Sequence, residues 1–192
     1  MRDYSDGSRR RMTLLTCAAL LVLALSALAG DVPARSAAEL SPQARLAKQV
    51  RHELVMLPFY SVFDSLEFAI DGSDTVVLSG QVVRPTLKSS AENVLRRVEG
   101  VGKVVNNIEV LPLSPFDDRL RLATYYAIYS RPGLDRYALQ AIPPIHIIVK
   151  NGNITLIGVV GSEFDKNVAG IVARGVPLAF SVENHLQVER RS

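Results

Sequence analysis

Three histidines, two adjacent aspartates and a single cysteine are the residues of this chain whose types could do chemistry. A metal centre draws its ligands from close, regular spacings. His52, His146 and His185 stand far from one another and from Cys17. They read as scattered surface or half-buried residues, with His146 and His185 at strand positions alternating with apolar ones and so facing solvent or the edge of a helix layer. Asp117 and Asp118 follow Ser114-Pro115-Phe116 at a helix start, where carboxylates complement the N-terminal dipole. Acid/base work would require them to converge on a cleft. Gly-x-Ser-x-Gly does not occur, so a nucleophile elbow has no support. Gly100-Val101-Gly102 resembles a phosphate loop only superficially: such loops lead from strand into helix, and this one leads from helix into strand and reads as a helix stop. The sequence predicts no catalytic residue, no metal, no cofactor and no small-molecule substrate.

The elements around these residues are organised by a duplication. Residues 76–110 recur at 154–188 with a constant offset of 78: Val76, Leu78, Gly80 and Val82 fall on Ile154, Leu156, Gly158 and Val160. Ala91, Val94, Arg96 and Val98 fall on Ala169, Val172, Arg174 and Val176, and Val104, Asn106, Ile108 and Val110 fall on Val182, Asn184, Leu186 and Val188. Finding such a repeat first guards against misreading the fold. In the first copy Ser41-Pro42 opens a helix with Ala44, Ala47, Val50, Leu54 and Leu57 at helical spacing, which Pro58 stops. Leu66, Phe68 and Ile70 alternate, residues 71–74 turn, and Val76 to Val82 alternate again, which is a hairpin signal. Pro85 opens a second helix ended by Gly100, and residues 104–110 form a last strand. The second copy repeats this order from Ser114-Pro115, with Asn151-Gly152 at the hairpin turn. Its first helix aligns at an offset of 74 (Leu46 on Leu120, Leu54 on Ile128), so extra residues lie around 131–144. Gly80 and Gly158, inside strands, mark close packing, a bulge or a twist.

The predicted fold is α+β: two tandem αββαβ domains, each a small three-stranded sheet packed against two helices. Domain 1 spans residues 43–111, a short Pro-containing linker 112–116, and domain 2 residues 117–190. Domains this small are marginal alone, so the two are expected to pack on each other.

Residues 1–29 read as an export signal, with Arg9, Arg10 and Arg11 before an apolar stretch and Ala27-Leu28-Ala29 as the cleavage site. Cleavage after Ala29 would release a periplasmic protein with a flexible segment at 30–42; retention would leave an inner-membrane anchor with the repeats outside the cytoplasm. The arginine cluster also partly matches a twin-arginine signal. Cys17 lies inside the apolar stretch, so the cleaved chain would hold no thiol. Lys and Arg exceed Asp and Glu by 22 to 19, and no basic run interleaves with aromatics, which argues against nucleic acid.

The order V-x-L-x-G-x-V, amphipathic helix, V-x-N-x-I-x-V resembles the BON domain, named for bacterial osmotically inducible and nodulation proteins. The carrying residues are Val76, Leu78, Gly80, Val82, Gly100, Val101, Val104, Asn106, Ile108 and Val110, then Gly152, Ile154, Leu156, Gly158, Val160, Val182, Asn184, Leu186 and Val188. The second copy departs at Leu178-Ala179-Phe180, where the first has Gly100-Val101-Gly102, so its helix-to-strand turn is expected to be built differently. The resemblance implies a non-enzymatic exported envelope protein, associating with anionic phospholipid or another envelope component in membrane or osmotic stress. The alternative is a periplasmic chaperone-like protein that binds exposed segments of other proteins.

Two surfaces are candidates for such a partner. Lys88, Arg96 and Arg97, with Arg84 and Lys103 near the ends of the same helix, would attract anionic headgroups at about 1 kcal/mol per charge. The helix near Asp118 to Tyr129 carries Leu120, Ala123, Ala127 and Ile128 toward its core and Leu122, Tyr125, Tyr126 and Tyr129 on a second stripe. That stripe either docks on domain 1 or remains an exposed surface.

Overall fold

The computed structural model describes residues 41–189; the expected export signal at 1–29, Cys17 and the segment up to residue 40 lie outside them. The order is α1 (Pro42–Val55), β1 (Ser65–Asp71), β2 (Thr75–Val82), α2 (Pro85–Leu95), β3 (Lys103–Asn106), β4 (Glu109–Val110), α3 (Pro115–Tyr129), a 3-10 helix (Asp135–Leu139), β5 (Ile145–Lys150), β6 (Asn153–Val160), α4 (Glu163–Arg174) and β7 (Ser181–Val188). It is α+β, built as αββαβ twice.

Each sheet is organised on its second strand. In the first, β1 runs antiparallel to β2, and β3 and β4 both run parallel along its other flank. The expected single last strand is therefore in two pieces around residues 107–108, although it keeps one position in the sheet. In the second, β5 is antiparallel and an unbroken β7 parallel to β6. Alternation sends Val76, Leu78 and Val82 into one core and Ile154, Leu156 and Val160 into the other, all essentially inaccessible. Leu46, Val50 and Leu54 of α1 with Leu87, Ala91 and Leu95 of α2 close the first core.

The repeated Asn is explained by its bonds. Asn106 Nδ2 donates to the Lys88 carbonyl at 3.1 Å and Asn184 Nδ2 to the Lys166 carbonyl at 2.8 Å, tying the last strand to the preceding helix. Each Oδ1 also accepts the backbone N–H two residues on. The turns feeding these strands correct two expectations. Helix α2 ends at Leu95, and i to i−3 bonds at Arg97, Val98 and Val101 carry the chain through Gly100, so Gly100 lies in the turn beyond the helix. At the equivalent place Leu178 has φ +72°, matching Gly100 at +87°. The second turn is thus built the same way, with leucine held in the left-handed region that glycine occupies more easily.

The two cores are joined by a one-way insertion. Val62, from the connection between α1 and β1, is buried among the residues of the second core, and its carbonyl accepts from Ile147 N at 2.8 Å. Phe63 stacks edge-on against Tyr125 at 6.0 Å between ring centres, and Lys150 pairs with Glu109 at 2.5 Å.

Candidate functional site

Helix α2 places the basic residues at two separate locations. Arg84 is its exposed N-cap residue, with the guanidinium 5.0 Å above the ring of Phe59. Arg96 lies just beyond the other end, exposed, and bonds to Glu92 at 2.5 Å, itself held by Asn106. Arg97 is exposed beside it, Lys103 is exposed at the start of β3, and Lys88 is half-buried mid-helix. An 11-residue helix is about 16 Å long, so Arg84 does not share a patch with Arg96 and Arg97.

The tyrosines of α3 also divide. Tyr129 is buried; its hydroxyl donates to Ile145 O at 2.8 Å and accepts from Ile145 N at 3.2 Å. Burial is the largest influence on this phenol and raises its pKa, with the Ile145 bond opposing. Tyr129 is therefore part of the second core and caps its edge strand. Tyr125 is half-buried between Tyr129 and Phe63, so it faces the first domain. Tyr126 stands 63% exposed and Leu122 49% exposed.

No pattern in the sequence marks what meets this helix. Phe59, at φ +69°, is 68% exposed, as is Met56 to a similar degree three residues earlier. Phe59, Phe63 and Leu122 line one groove of about 450 Å³ together with Arg84, Arg121 and Asp118. Asp64 also borders it, but its carboxylate is already occupied by Ser61 N (3.0 Å), Ser61 Oγ (2.7 Å) and Val83 N (2.8 Å). Arg121 is buried, bonded to Asp118 and to Val149 O (2.8 Å), with Nε left without a hydrogen-bond partner. The result is an apolar collar of Phe59 and Leu122 with Arg84 exposed beside it and Arg121 buried in the groove wall. Local contacts explain it: Phe59 follows Pro58 outside α1, and Leu122 and Tyr126 sit one turn apart on α3.

Asp117 and Asp118 are placed as helix-start residues, behind a Ser114 cap whose hydroxyl accepts from Asp117 N at 3.1 Å. Asp117 does more than complement a dipole: fully buried, it accepts from Asn151 N at 2.9 Å and Gly152 N at 2.8 Å, gripping the β5–β6 turn. His52 is exposed on α1 and His185 exposed beside Glu183.

His146 is the exception among the histidines. It is half-buried at the junction of the domains, where Nδ1–H donates to the Asp64 carbonyl at 2.6 Å and the ring stacks on Tyr60 at 5.7 Å. Burial dominates and lowers its pKa, against the opposing bond and charge of Asp64; burial, then the Asp64 charge, pushes the Tyr60 phenol up to about 12. The linkage has a definite sign. Above the unfolded value near 6.5 the ring is neutral in both states and the junction keeps its full contribution. As pH falls below it the unfolded chain takes up the proton first, and stability is lost toward the depressed folded pKa. Melting temperature should therefore fall between about pH 7.5 and 5.5, and His146→Gln should flatten that slope. An unchanged slope in the variant would refute the assignment.

These features define a class: two small αββαβ modules, the first inserting one residue of its α1–β1 connection into the core of the second, whose distinctive surfaces are a collar and a groove. A family model described as BON domain matches residues 42–112 and 134–190. The chain belongs to the BON domain family, in tandem; the second match starts beyond α3. No curated protein matches the chain closely enough to count as a relative. Among solved structures, the C-terminal domain of CdsD, a structural protein of the type III secretion system of Chlamydia trachomatis, matches at 14% identity and TM-score 0.31 over 75% of this chain and 64% of that one. A second CdsD structure matches at 12% identity and TM-score 0.28 over 77% of this chain and 94% of that one. The chain thus spans less than two thirds of the first of these, and likeness at this level carries no functional meaning.

Proposed function

We propose that this is an exported, non-enzymatic envelope protein that associates with anionic phospholipid surfaces. The observation that carries the reading is the exposed Phe59 and Leu122 on a groove lined also by Arg84 and Arg121, with exposed Met56 three residues before Phe59 and exposed Tyr126 one turn beyond Leu122. Large apolar side chains grouped at the surface favour insertion among acyl chains, at up to about 2 kcal/mol per fully buried residue. Arg84, exposed beside Phe59, supplies donors for phosphate. Lys88, Arg96, Arg97 and Lys103 would add a longer-range attraction that salt screens. Among the described residues no helix is long and apolar enough to cross a membrane.

The test is co-sedimentation of residues 30–192 with phosphatidylglycerol vesicles across salt concentrations. Phe59→Ser with Leu122→Ser should weaken binding roughly tenfold at every salt, whereas Arg96→Gln with Arg97→Gln should weaken it chiefly at low salt. Wild-type binding equal to that of neutral phosphatidylcholine vesicles, or collar variants that bind as wild type does, would refute the proposal.

A further inference from the structure

The two copies treat their edge strands differently. In the second, the groups of β5 that point away from β6 are capped at three successive places, though not at every atom. Tyr129 Oη holds Ile145 N and O, Val62 O accepts from Ile147 N, and Arg121 Nη2 donates to Val149 O. The residues of β1 at the same places, paired with the matching β2 residues, are Leu66, Phe68 and Ile70. Outward-pointing groups recur at every second residue. The Tyr60 hydroxyl reaches the backbone of Leu66. The outward groups of Phe68 and Ile70 meet no hydrogen-bond partner among the described residues.

The cause is in the helix. At the offset of 74 that aligns the buried faces, Arg121 corresponds to Ala47 and Tyr129 to Val55. With the two long edge-capping side chains absent, α1 stands off β1 and leaves a groove of about 940 Å³, lined by Ala44, Ala47 and Arg51 on one side and Glu67, Phe68 and Ile70 on the other. The second copy shows that such an edge accepts a chain segment from outside the sheet: the turn Ser61 to Asp64 inserts one apolar side chain, Val62, and sets its carbonyl on the strand.

We propose that this groove binds an extended segment of another protein by strand addition to β1, the backbone pairing with Phe68 and Ile70 and an aliphatic side chain entering beside Ala47. One substitution sets a preference. His146, which donates to the Asp64 carbonyl, is replaced at the equivalent place by Glu67, an acceptor. The groove therefore selects segments that carry lysine, arginine or a hydroxyl near the inserted residue. A second copy is the poorer occupant: antiparallel pairing of β1 about Phe68 would set the two Glu67 side chains diagonally on one face.

Fluorescence anisotropy with the full-length chain tests this. The probes are a labelled heptapeptide alternating valine and threonine with one lysine, the same peptide with aspartate for lysine, and a proline-interrupted control. The lysine peptide should bind best, by roughly fivefold over its acidic counterpart, and the proline control should not bind. Ala47→Arg, which restores the side chain of the second copy, should weaken binding at least about tenfold while leaving vesicle binding unchanged, which separates this site from the lipid collar. Glu67→Gln should abolish the lysine preference. Independently of any variant, the amide resonances of Phe68 and Ile70 should shift on titration. No binding up to roughly 1 mM, equal binding of the proline control, or dimerisation through this edge that Ala47→Arg breaks would each overturn the proposal.

Discussion

Gly158→Ala is expected to unfold the second domain, and Gly80→Ala the first, each with a loss of about 3–5 kcal/mol. Both glycines lie within the central strand of their sheet at φ +131° and +113°, a region that side chains rarely adopt. A Cβ at Gly158 would lie 1.9 Å from Pro144 O, and one at Gly80 2.1 Å from Ser65 O. In each case the obstruction is backbone at the entry to the neighbouring strand, so no side-chain rotation can relieve it. The loss should fall on one domain at a time, because each core has its own set of buried residues. Urea unfolding followed by tyrosine fluorescence would show it, since the chain has six tyrosines and no tryptophan. A midpoint shared with wild type would show that the strand can move aside.

Those two glycines also mark how far the fold was legible. A constant offset of 78 could be read because strand, helix and strand must keep their lengths for two equivalent cores to close. Asn106 and Asn184 were visible for the same reason. Leu178 misled because residue type alone suggested a different turn, whereas the surrounding chain holds leucine in the conformation of Gly100. The candidate site was less legible. Tyr125, Tyr126 and Tyr129 are close in sequence, yet their roles differ because Tyr129 follows Ile128 into the core and Tyr126 points away from it. Arg84 and Arg96 belong to one helix in sequence but to its two ends in space. Nothing local announces that Val62 crosses into the other domain, since a single apolar residue in a connection has no periodicity to betray its destination. The groove beside β1 was hidden in a comparison: Ala47 and Val55 are unremarkable until set against Arg121 and Tyr129.

Asp117→Ala should lower stability by about 3 kcal/mol, and Asp117→Asn by about 2 kcal/mol. The carboxylate is fully buried and receives two backbone N–H bonds from the β5–β6 turn. Alanine would leave the Gly152 N–H buried and unpaired and take the partner from the Asn151 N–H. Asparagine keeps the shape but turns an NH2 group toward one of the two N–H groups, so only one bond survives. Asp118 supplies the control on the same helix turn: its side chain is 58% exposed, and its pair with Arg121 leaves the Arg121–Val149 bond in place. Asp118→Asn should change stability by less than about 1 kcal/mol. Amide exchange at Asn151 and Gly152 would localise the effect, with faster exchange expected in both Asp117 variants and not in Asp118→Asn. The same grip fixes where α3 stands, and α3 presents Leu122 and Tyr126 at the collar. Loss of Asp117 should therefore weaken vesicle binding without altering a residue that meets the membrane, and an Asp117→Asn protein that is destabilised yet binds vesicles normally would show that the collar does not depend on the helix being held at its start.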